Sequence, residues 1–292
     1  MGKDSMGLLS GKVAIITGAG RGLGAAHARR LAQEGAAVVV NDIGKDAQGL
    51  FTAESVTASI VAGGGKAAAH TQSIATVAGG ESLLKAALDH FGGAHILVNN
   101  AGILRDKSFL KLDEVDWDAV IGVNLKSMYA VTKPVFAWMK ENGGGVIVNT
   151  SSTSGLVGNI GQSNYAASKA GVFGFSNVLA LEGVKSNVRV WTLAPAATSA
   201  LTAPYMTEEQ KAQLAPEHVA EVLVYMVSEL SGKRTGHCLF VSGHSIRELK
   251  LVSAEGIRGR GYDPSVDARA IAAAESKIFR PEASLTIMDF AK

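Results

Sequence analysis

Short runs of β-branched and small apolar residues recur along the chain, separated by longer stretches whose apolar positions follow a helical period. The first run, Lys12–Thr17 (KVAIIT), is apolar on both faces, as in a strand buried within a parallel sheet. Runs of the same kind lie at Ala37–Asn41, Lys66–Gln72, His95–Val98, Gly145–Asn149, Asn187–Leu193 and Gly236–Val241. Between them, helical spacing predicts helices at about Leu23–Glu34, Thr52–Ala62, Glu81–Phe91, Asp113–Met139, Tyr165–Lys185 and Pro216–Ser228. Alternation of strand and helix without an internal repeat predicts an α/β fold, a doubly wound seven-stranded parallel sheet in a single domain. That domain is expected over residues 11–245, after a loose leader at 1–10. Residues 246–292 form a C-terminal extension, too long for a frayed end and too small to fold alone. It carries Arg258 and Arg260 in a Gly-flanked turn, then a helical pattern at Ser265–Ile278.

Composition narrows the function classes. Hydrophobic residues at 47% and charged residues at 18% describe a soluble globular protein. A formal net charge of +2 gives no electrostatic case for nucleic acid or a membrane surface. Cys238 is the one cysteine, which excludes an internal disulfide, and its apolar setting (HCLFV) marks it as core. The seven histidines are scattered without metal-ligand spacing, so no metal is expected. No run approaches the ~18 apolar residues of a membrane span. The first residues pass into a strand without a signal-peptide core, so the expected location is the cytoplasm.

Candidate chemistry concentrates in Asn149–Lys169, NTSSTSGLVGNIGQSNYAASK. Tyr165 and Lys169 share one helical face, a turn apart. Free tyrosine ionises near pH ~10, so it is a poor proton acceptor at neutrality until a cation favours its phenolate. Lys169 supplies that cation, and the hydroxyl of Ser152, earlier in the stretch, can hold a carbonyl oxygen at the same point. A second motif, TGAGRGLG at Thr17–Gly24, joins a strand to a helix. Gly18, Gly22 and Gly24 permit a tight turn there and let backbone amides approach a pyrophosphate at the helix N-terminus. Asp42, at the end of the second strand, can accept both hydroxyls of an adenine ribose and repels a 2′-phosphate, which favours NAD over NADP. Arg21 is the counter-signal, because a basic residue in this loop can contact the phosphate of NADP.

Ser152, Tyr165, Lys169 and the TGAGRGLG loop together resemble the short-chain dehydrogenase/reductase family, over roughly residues 10–245. The resemblance implies a Rossmann fold and hydride transfer between a nicotinamide and a carbinol carbon, with Asn124, Ser152, Tyr165 and Lys169 as the catalytic set. In that scheme Tyr165 moves the hydroxyl proton, and Lys169 lowers the tyrosine pKa and binds the nicotinamide ribose. Ser152 positions the substrate oxygen, and Asn124 completes the proton path. The implied cofactor contacts are Gly18, Arg21, Gly22, Leu23, Gly24, Asp42, Gln72, Ser73, Asn100, Ala101, Gly102, Tyr165, Lys169, Pro195 and Thr198. Among them Gln72 replaces the family's usual aspartate at the adenine amino group, and Thr198 holds the nicotinamide carboxamide. PAAT at Pro195–Thr198 departs from the family's Pro-Gly.

The stretches VVVNDIG, NNAGILRDKSF, GNIGQSNYAASK and LEGVKSN resemble one branch more closely. That branch is the (3R)-hydroxyacyl-CoA dehydrogenase unit of peroxisomal multifunctional enzymes, with bacterial hydroxysteroid dehydrogenases among its relatives. The implied function is NAD-dependent interconversion of a secondary alcohol and a ketone on a bulky substrate. An acyl-carrier-protein-type ketoreductase using NADPH and a non-catalytic NAD-binding sensor or scaffold stay open. Expected partners are a small alcohol or ketone and further copies of the chain, as a homodimer or homotetramer. The two long helices would pair the subunits through Val120, Val131, Val135, Phe173 and Val178. Ala200–Leu214 is expected to be a substrate lid, and the extension to cover the active-site region or a neighbouring subunit, its two arginines reaching an anion such as the phosphates of CoA.

Overall fold

A computed structural model of the chain describes residues 7–198, 206–257 and 268–279. In chain order the first half comprises β1 (Val13–Thr17), α1 (Gly22–Gln33), β2 (Ala37–Asn41), α2 (Thr52–Ala62), β3 (Lys66–His70), α3 (Val77–Phe91), β4 (Ile96–Asn99), α4 (Glu114–Ile121) and α5 (Ser127–Glu141). Then come β5 (Gly145–Thr150), α6 (Ser154–Val157), α7 (Ser163–Gly183), β6 (Val188–Ala196), α8 (Glu208–Gln213), α9 (Pro216–Val227), β7 (His237–Ser242), β8 (Ser245–Leu249), α10 (Ala268–Ala273) and α11 (Glu275–Ile278). The strands make one eight-stranded sheet in the order β3-β2-β1-β4-β5-β6-β7-β8. β1 to β7 pair in parallel, and β8 folds back antiparallel on β7, from Ser242↔Ser245 to Cys238↔Leu249.

The seven-stranded parallel sheet is therefore present, extended by one strand from the start of the presumed extension. Gly243, at φ 54, makes the turn between β7 and β8. β8 (SIREL) is largely exposed and half polar, as befits a strand that closes a sheet edge, so it lacks the continuous apolar run that marked the others.

Burial on both faces explains those runs. Ala14 and Ile16 of β1, with Val38 and Val40 of β2, pack beneath α1, α2 and α9. Val13 and Ile15, with Val39, pack against α3, α5 and α7. Helix α3 begins at Val77, a turn before the expected Glu81, because Thr76 Oγ1 accepts from Gly79 N at 3.2 Å and caps it. Gly79-Gly80 reads as a break but sits inside this first turn. A Cβ on Gly80 would lie 2.2 Å from the Ala130 carbonyl oxygen, so the glycine is what lets α3 approach α5.

The helix expected over Asp113–Met139 is interrupted. α4 and α5 are joined by a wide π-type turn, Gly122–Lys126, which contains Asn124. Val120, Val131 and Val135, expected to be shared with a partner surface, are wholly buried within the chain. Phe173 is half-buried, and Val178 is 52% exposed. In the extension, Gly256 N donates to the Lys277 carbonyl at 2.9 Å, tying the chain after β8 to α11. Arg258 and Arg260, and residues 199–205 of the expected lid, lie outside the described residues. Among the described residues, no helix is long and apolar enough to cross a membrane.

His27, on α1, is fully buried, and neither ring nitrogen has a hydrogen-bond partner. Burial pushes its pKa down to about 4, so the folded state accepts only the neutral ring. The unfolded chain protonates His27 near its ordinary 6.5, so stability falls as pH drops from there toward 4. The full penalty is on the order of 3 kcal/mol. His27→Leu should flatten this dependence. Urea denaturation of parent and variant at pH 7 and near pH 4.5 measures it, and equal losses in the two would contradict the assignment.

Candidate functional site

The expected functional residues gather at the C-terminal ends of β1, β2, β4 and β5, where an open α/β sheet forms its crevice. Backbone contact between two loops builds this crevice. Thr17 Oγ1 accepts from Asn100 N at 3.0 Å and Ala101 N at 3.1 Å, while Asn100 Nδ2 donates to the Thr17 and Gly18 carbonyls, each at 3.1 Å. Gly18 has φ 62, and a Cβ there would sit 2.7 Å from Ala101 Cα. A Cβ on Gly24 would sit 2.2 Å from the Gly18 carbonyl oxygen. Both glycines are demanded by space.

The resulting cavity, about 460 Å³, is lined by Gly18, Arg21, Leu23, Gly24, Asp42, Ser73, Asn100, Ala101 and Gly102 among the expected contacts. Asp42 stands at its wall with a fixed carboxylate: Oδ2 accepts from Gly20 N at 2.9 Å and Oδ1 from Gly44 N at 2.7 Å. Gln72 is not brought into the cavity. Its Oε1 accepts from Ser82 Oγ at 2.9 Å, and the residues after it, Ser73 and Ile74, form the wall. Ile43, Gly44, Ile74 and Ala75 also line the cavity and were not anticipated. Ile43 had a signal, as a large apolar residue directly after Asp42 that is 61% exposed. Pro195 pairs with Val241 in the sheet, and Thr198 is bonded to the α8 region, with its N–H donating to the Leu214 carbonyl at 2.7 Å.

Beside the cavity lies the second group. Lys169 is buried and donates from Nζ to the Thr150 carbonyl at 2.7 Å, with Nζ 5.6 Å from the centre of the Tyr165 ring. The Ser152 side chain lies close enough to the Tyr165 phenol to act on its pKa. Gly102 joins the two regions, since a Cβ there would come within 3.6 Å of Lys169 Nζ and 3.4 Å of Asn124 Oδ1. Asn124, wholly buried, accepts from Ile103 N at 2.8 Å and donates to the Ile103 carbonyl at 3.1 Å and to Ser168 Oγ at 3.2 Å. The π-type turn aims this amide at the β4 loop and at α7 together.

Burial pushes the Tyr165 phenol above its usual pKa; the Ser152 side chain opposes this, and the Asp106 carboxylate adds to it. Burial also lowers Lys169 to about 8. The expected lowering of the tyrosine by Lys169 is thus not the net outcome in this arrangement. Desolvation prevails, and the ammonium is engaged by a carbonyl rather than by the phenol.

A larger cavity, about 590 Å³, opens at the opposite ends of the strands, beside Lys12, His95, Gly145 and Val188. Arg189 on its wall donates to the Met226 and Ser228 carbonyls, capping the end of α9. None of the motif residues reaches it. Among the described residues, no group of three or more His, Cys, Asp or Glu side chains is placed to hold a metal ion.

The short chain dehydrogenase profile matches residues 12–212. The chain belongs to the short chain dehydrogenase family. As a short chain dehydrogenase it is an oxidoreductase acting on CH–OH groups, and it uses a nicotinamide cofactor. It is 44% identical over 223 residues to the mouse peroxisomal multifunctional enzyme type 2, covering 75% of this chain but only 30% of that enzyme's length. It is 37% identical to a hydroxyacyl-CoA dehydrogenase of Mycobacterium tuberculosis, with 88% of this chain and 86% of that one covered. A solved 7α-hydroxysteroid dehydrogenase, complexed with NADH and 7-oxo glycochenodeoxycholic acid, superposes with a TM-score of 0.74 at 32% identity, covering 85% of this chain and 100% of the other. The crevice fits such a dinucleotide: Gly18 and Gly24 let its backbone walls close on one another at the start of α1, and Asp42 lines it with a fixed carboxylate.

Removing the Asn124 amide leaves the Ile103 N–H and carbonyl without their partner in a buried place. Asn124→Ala should destabilise the protein by about 2 kcal/mol. Chemical denaturation checks this, and an unchanged midpoint would mean that the loop after β4 is held by other contacts.

Proposed function

We propose that the protein is an NAD-dependent dehydrogenase that interconverts a secondary alcohol and its ketone on a bulky substrate, a hydroxyacyl-CoA in the first instance. The observation that carries this reading is the convergence of Ser152, Tyr165 and Lys169, with Lys169 next to Gly102, beside a cavity that Gly102 and Asp42 both line. Gly18 and Gly24 would admit the pyrophosphate to the N-terminus of α1, and the Asp42 carboxylate would accept the hydroxyls of the adenine ribose. Bound there, the nicotinamide supplies the hydride chemistry.

The chain's own residues then handle the oxygen and its proton. Ser152 holds the substrate oxygen against Tyr165. The Tyr165 hydroxyl gives its proton to the forming alkoxide in reduction and takes the alcohol proton in oxidation. Lys169, one turn along and still largely protonated at neutral pH, favours the phenolate when it forms. Asn124 fixes Ile103 and Ser168, and so the loop between cofactor and substrate.

Substrate class follows from the relatives. Two are multifunctional or hydroxyacyl-CoA enzymes by name, which favours an acyl-CoA. The hydroxysteroid dehydrogenase neighbour supports a second reading, a steroid alcohol. Assembly into a homodimer or homotetramer is part of the proposal, motivated by exposed apolar side chains on the long helices: Tyr129 on α5, with Val178 and Leu181 on α7.

Tyr165→Phe keeps the ring and loses the proton. It should reduce turnover by roughly a hundredfold or more while NAD affinity, read by fluorescence titration, stays near the parent's. Substantial turnover in that variant would refute the mechanism. Asp42→Ala removes the charge that repels a 2′-phosphate and should raise the use of NADP relative to NAD severalfold in steady-state kinetics. A parent that already prefers NADP would reverse the role given to Asp42.

A further inference from the structure

The loop after β4 is stitched to the segment before Tyr165 by bonds that the reaction scheme above leaves unused. Asn164 Nδ2 donates to the Arg105 carbonyl at 3.2 Å, Gln162 Nε2 to Asp106 Oδ2 at 2.8 Å, and Lys107 N to the Gly161 carbonyl at 2.9 Å. The Gln162 amide continues inward. Its Oε1 accepts from Ser154 Oγ at 2.9 Å and from Asn159 Nδ2 at 3.2 Å, and Ser154 N donates to Ser152 Oγ at 3.2 Å. A polar path thus runs from Asp106 through Gln162 and Ser154 to Ser152, whose side chain acts on the Tyr165 phenol.

The charges along this loop are unevenly matched. Arg105 Nε lies 3.5 Å from Asp116 Oδ1, and Lys107 Nζ lies 2.9 Å from Asp113 and 2.6 Å from Asp116. Both cations beside Asp106 are therefore turned away toward α4. Asp106 itself makes no ion pair among the described residues and keeps an uncompensated charge held by an amide. The charged and polar side chains that act on the Tyr165 phenol are Ser152 from the loop after β5 and Asp106 from the loop after β4, with Lys169 Nζ 5.6 Å from the ring centre on its own helix.

We propose that Asp106 is a positioning residue for the reaction: through Gln162 and Ser154 it sets the Ser152 hydroxyl. This rests on the reading of Tyr165 as the group that moves the proton. The Asp106 charge also disfavours the Tyr165 phenolate, adding to the upward displacement that burial gives the phenol. Asp106 is exposed, so solvent screens its field and the effect is modest. Its consequence is a tyrosine biased toward the proton-donating form, which suits ketone reduction at neutral pH and makes alcohol oxidation wait for a higher pH.

Two variants separate the roles. Asp106→Asn keeps an oxygen for Gln162 and loses only the charge, whereas Gln162→Ala cuts the path and leaves the charge. The Tyr165 phenolate is followed by its ultraviolet absorbance during pH titration of the full chain. The same titration of Tyr165→Phe, alone and combined with each variant, is subtracted. In Asp106→Asn the Tyr165 midpoint should fall by roughly half a pH unit, about threefold in phenolate fraction at fixed pH. In Gln162→Ala it should stay within a few tenths of the parent.

Kinetics with 3-hydroxybutyryl-CoA or a hydroxysteroid, whichever the parent oxidises, gives the second readout. The pH profile for oxidation should move to lower pH in Asp106→Asn at an unchanged plateau. In Gln162→Ala kcat should fall severalfold without a shift in the profile. An unmoved phenolate midpoint in Asp106→Asn, or an unaltered kcat in Gln162→Ala, overturns the proposal while the proposed function stands if Tyr165→Phe is inactive. Full turnover by Tyr165→Phe overturns the functional reading and this proposal with it.

Discussion

The close approach of two backbones, at the ends of β1 and β4, is the constraint on which the site depends. Gly18 lies so near Ala101 that no Cβ fits between them, and Thr17 and Asn100 lock the pair with four hydrogen bonds. That contact brings the start of α1 against the loop after β4. The same loop continues to Gly102 beside Lys169 and to Ile103 on Asn124. The crevice and the Tyr165–Lys169 group therefore meet on one loop. A shift of that loop alters both, which explains why a buried asparagine is spent on holding its backbone.

Much of this was legible beforehand because the chemistry is carried by close sequence spacings. Tyr165 and Lys169 sit one turn apart, and the glycines of TGAGRGLG lie within a single loop. The strands were legible for a different reason. Burial on both faces leaves uninterrupted apolar runs, as in β1, β2, β4 and β5. β8 escaped notice because it is a largely exposed strand with polar positions, and the first turn of α3 because two glycines, one of them demanded by contact with Ala130, masked it. The π-type turn between α4 and α5 has no signature in periodicity, since Gly122–Lys126 keeps a pattern that a regular helix would also fit.

At two expected site positions the surroundings, rather than the spacing, decide what the side chain does. Gln72 occupies the right place along the chain, but a hydroxyl on α3 takes its side-chain oxygen and the cavity wall is formed one residue on. Tyr165 and Lys169 have the expected spacing, yet the direction of the phenol's displacement depends on how much water reaches it and on a carboxylate fifty-nine positions earlier, at Asp106. Spacing along a helix specifies which groups meet. It says nothing of the dielectric in which they meet, and that decides a pKa.

The burial of Lys169 shows what this arrangement demands of the fold. Its pKa falls from 10.5 to about 8 because the ammonium has lost its water and has gained one carbonyl at 2.7 Å in return. Between those two pH values the unfolded chain holds the proton more firmly than the folded one, so stability rises with pH across that window. At neutral pH the folded state therefore carries the whole penalty, on the order of 3 kcal/mol, for keeping a charged lysine where an apolar residue would pack without strain. Glycine at positions 18 and 24 adds to the same side of the balance, since it orders more costly backbone than alanine would. These residues weaken the fold at the places where the cavity, the cation and the phenol must coincide. The continuous apolar strands on either side, buried on both faces, are what makes such a concentration of unfavourable groups tolerable.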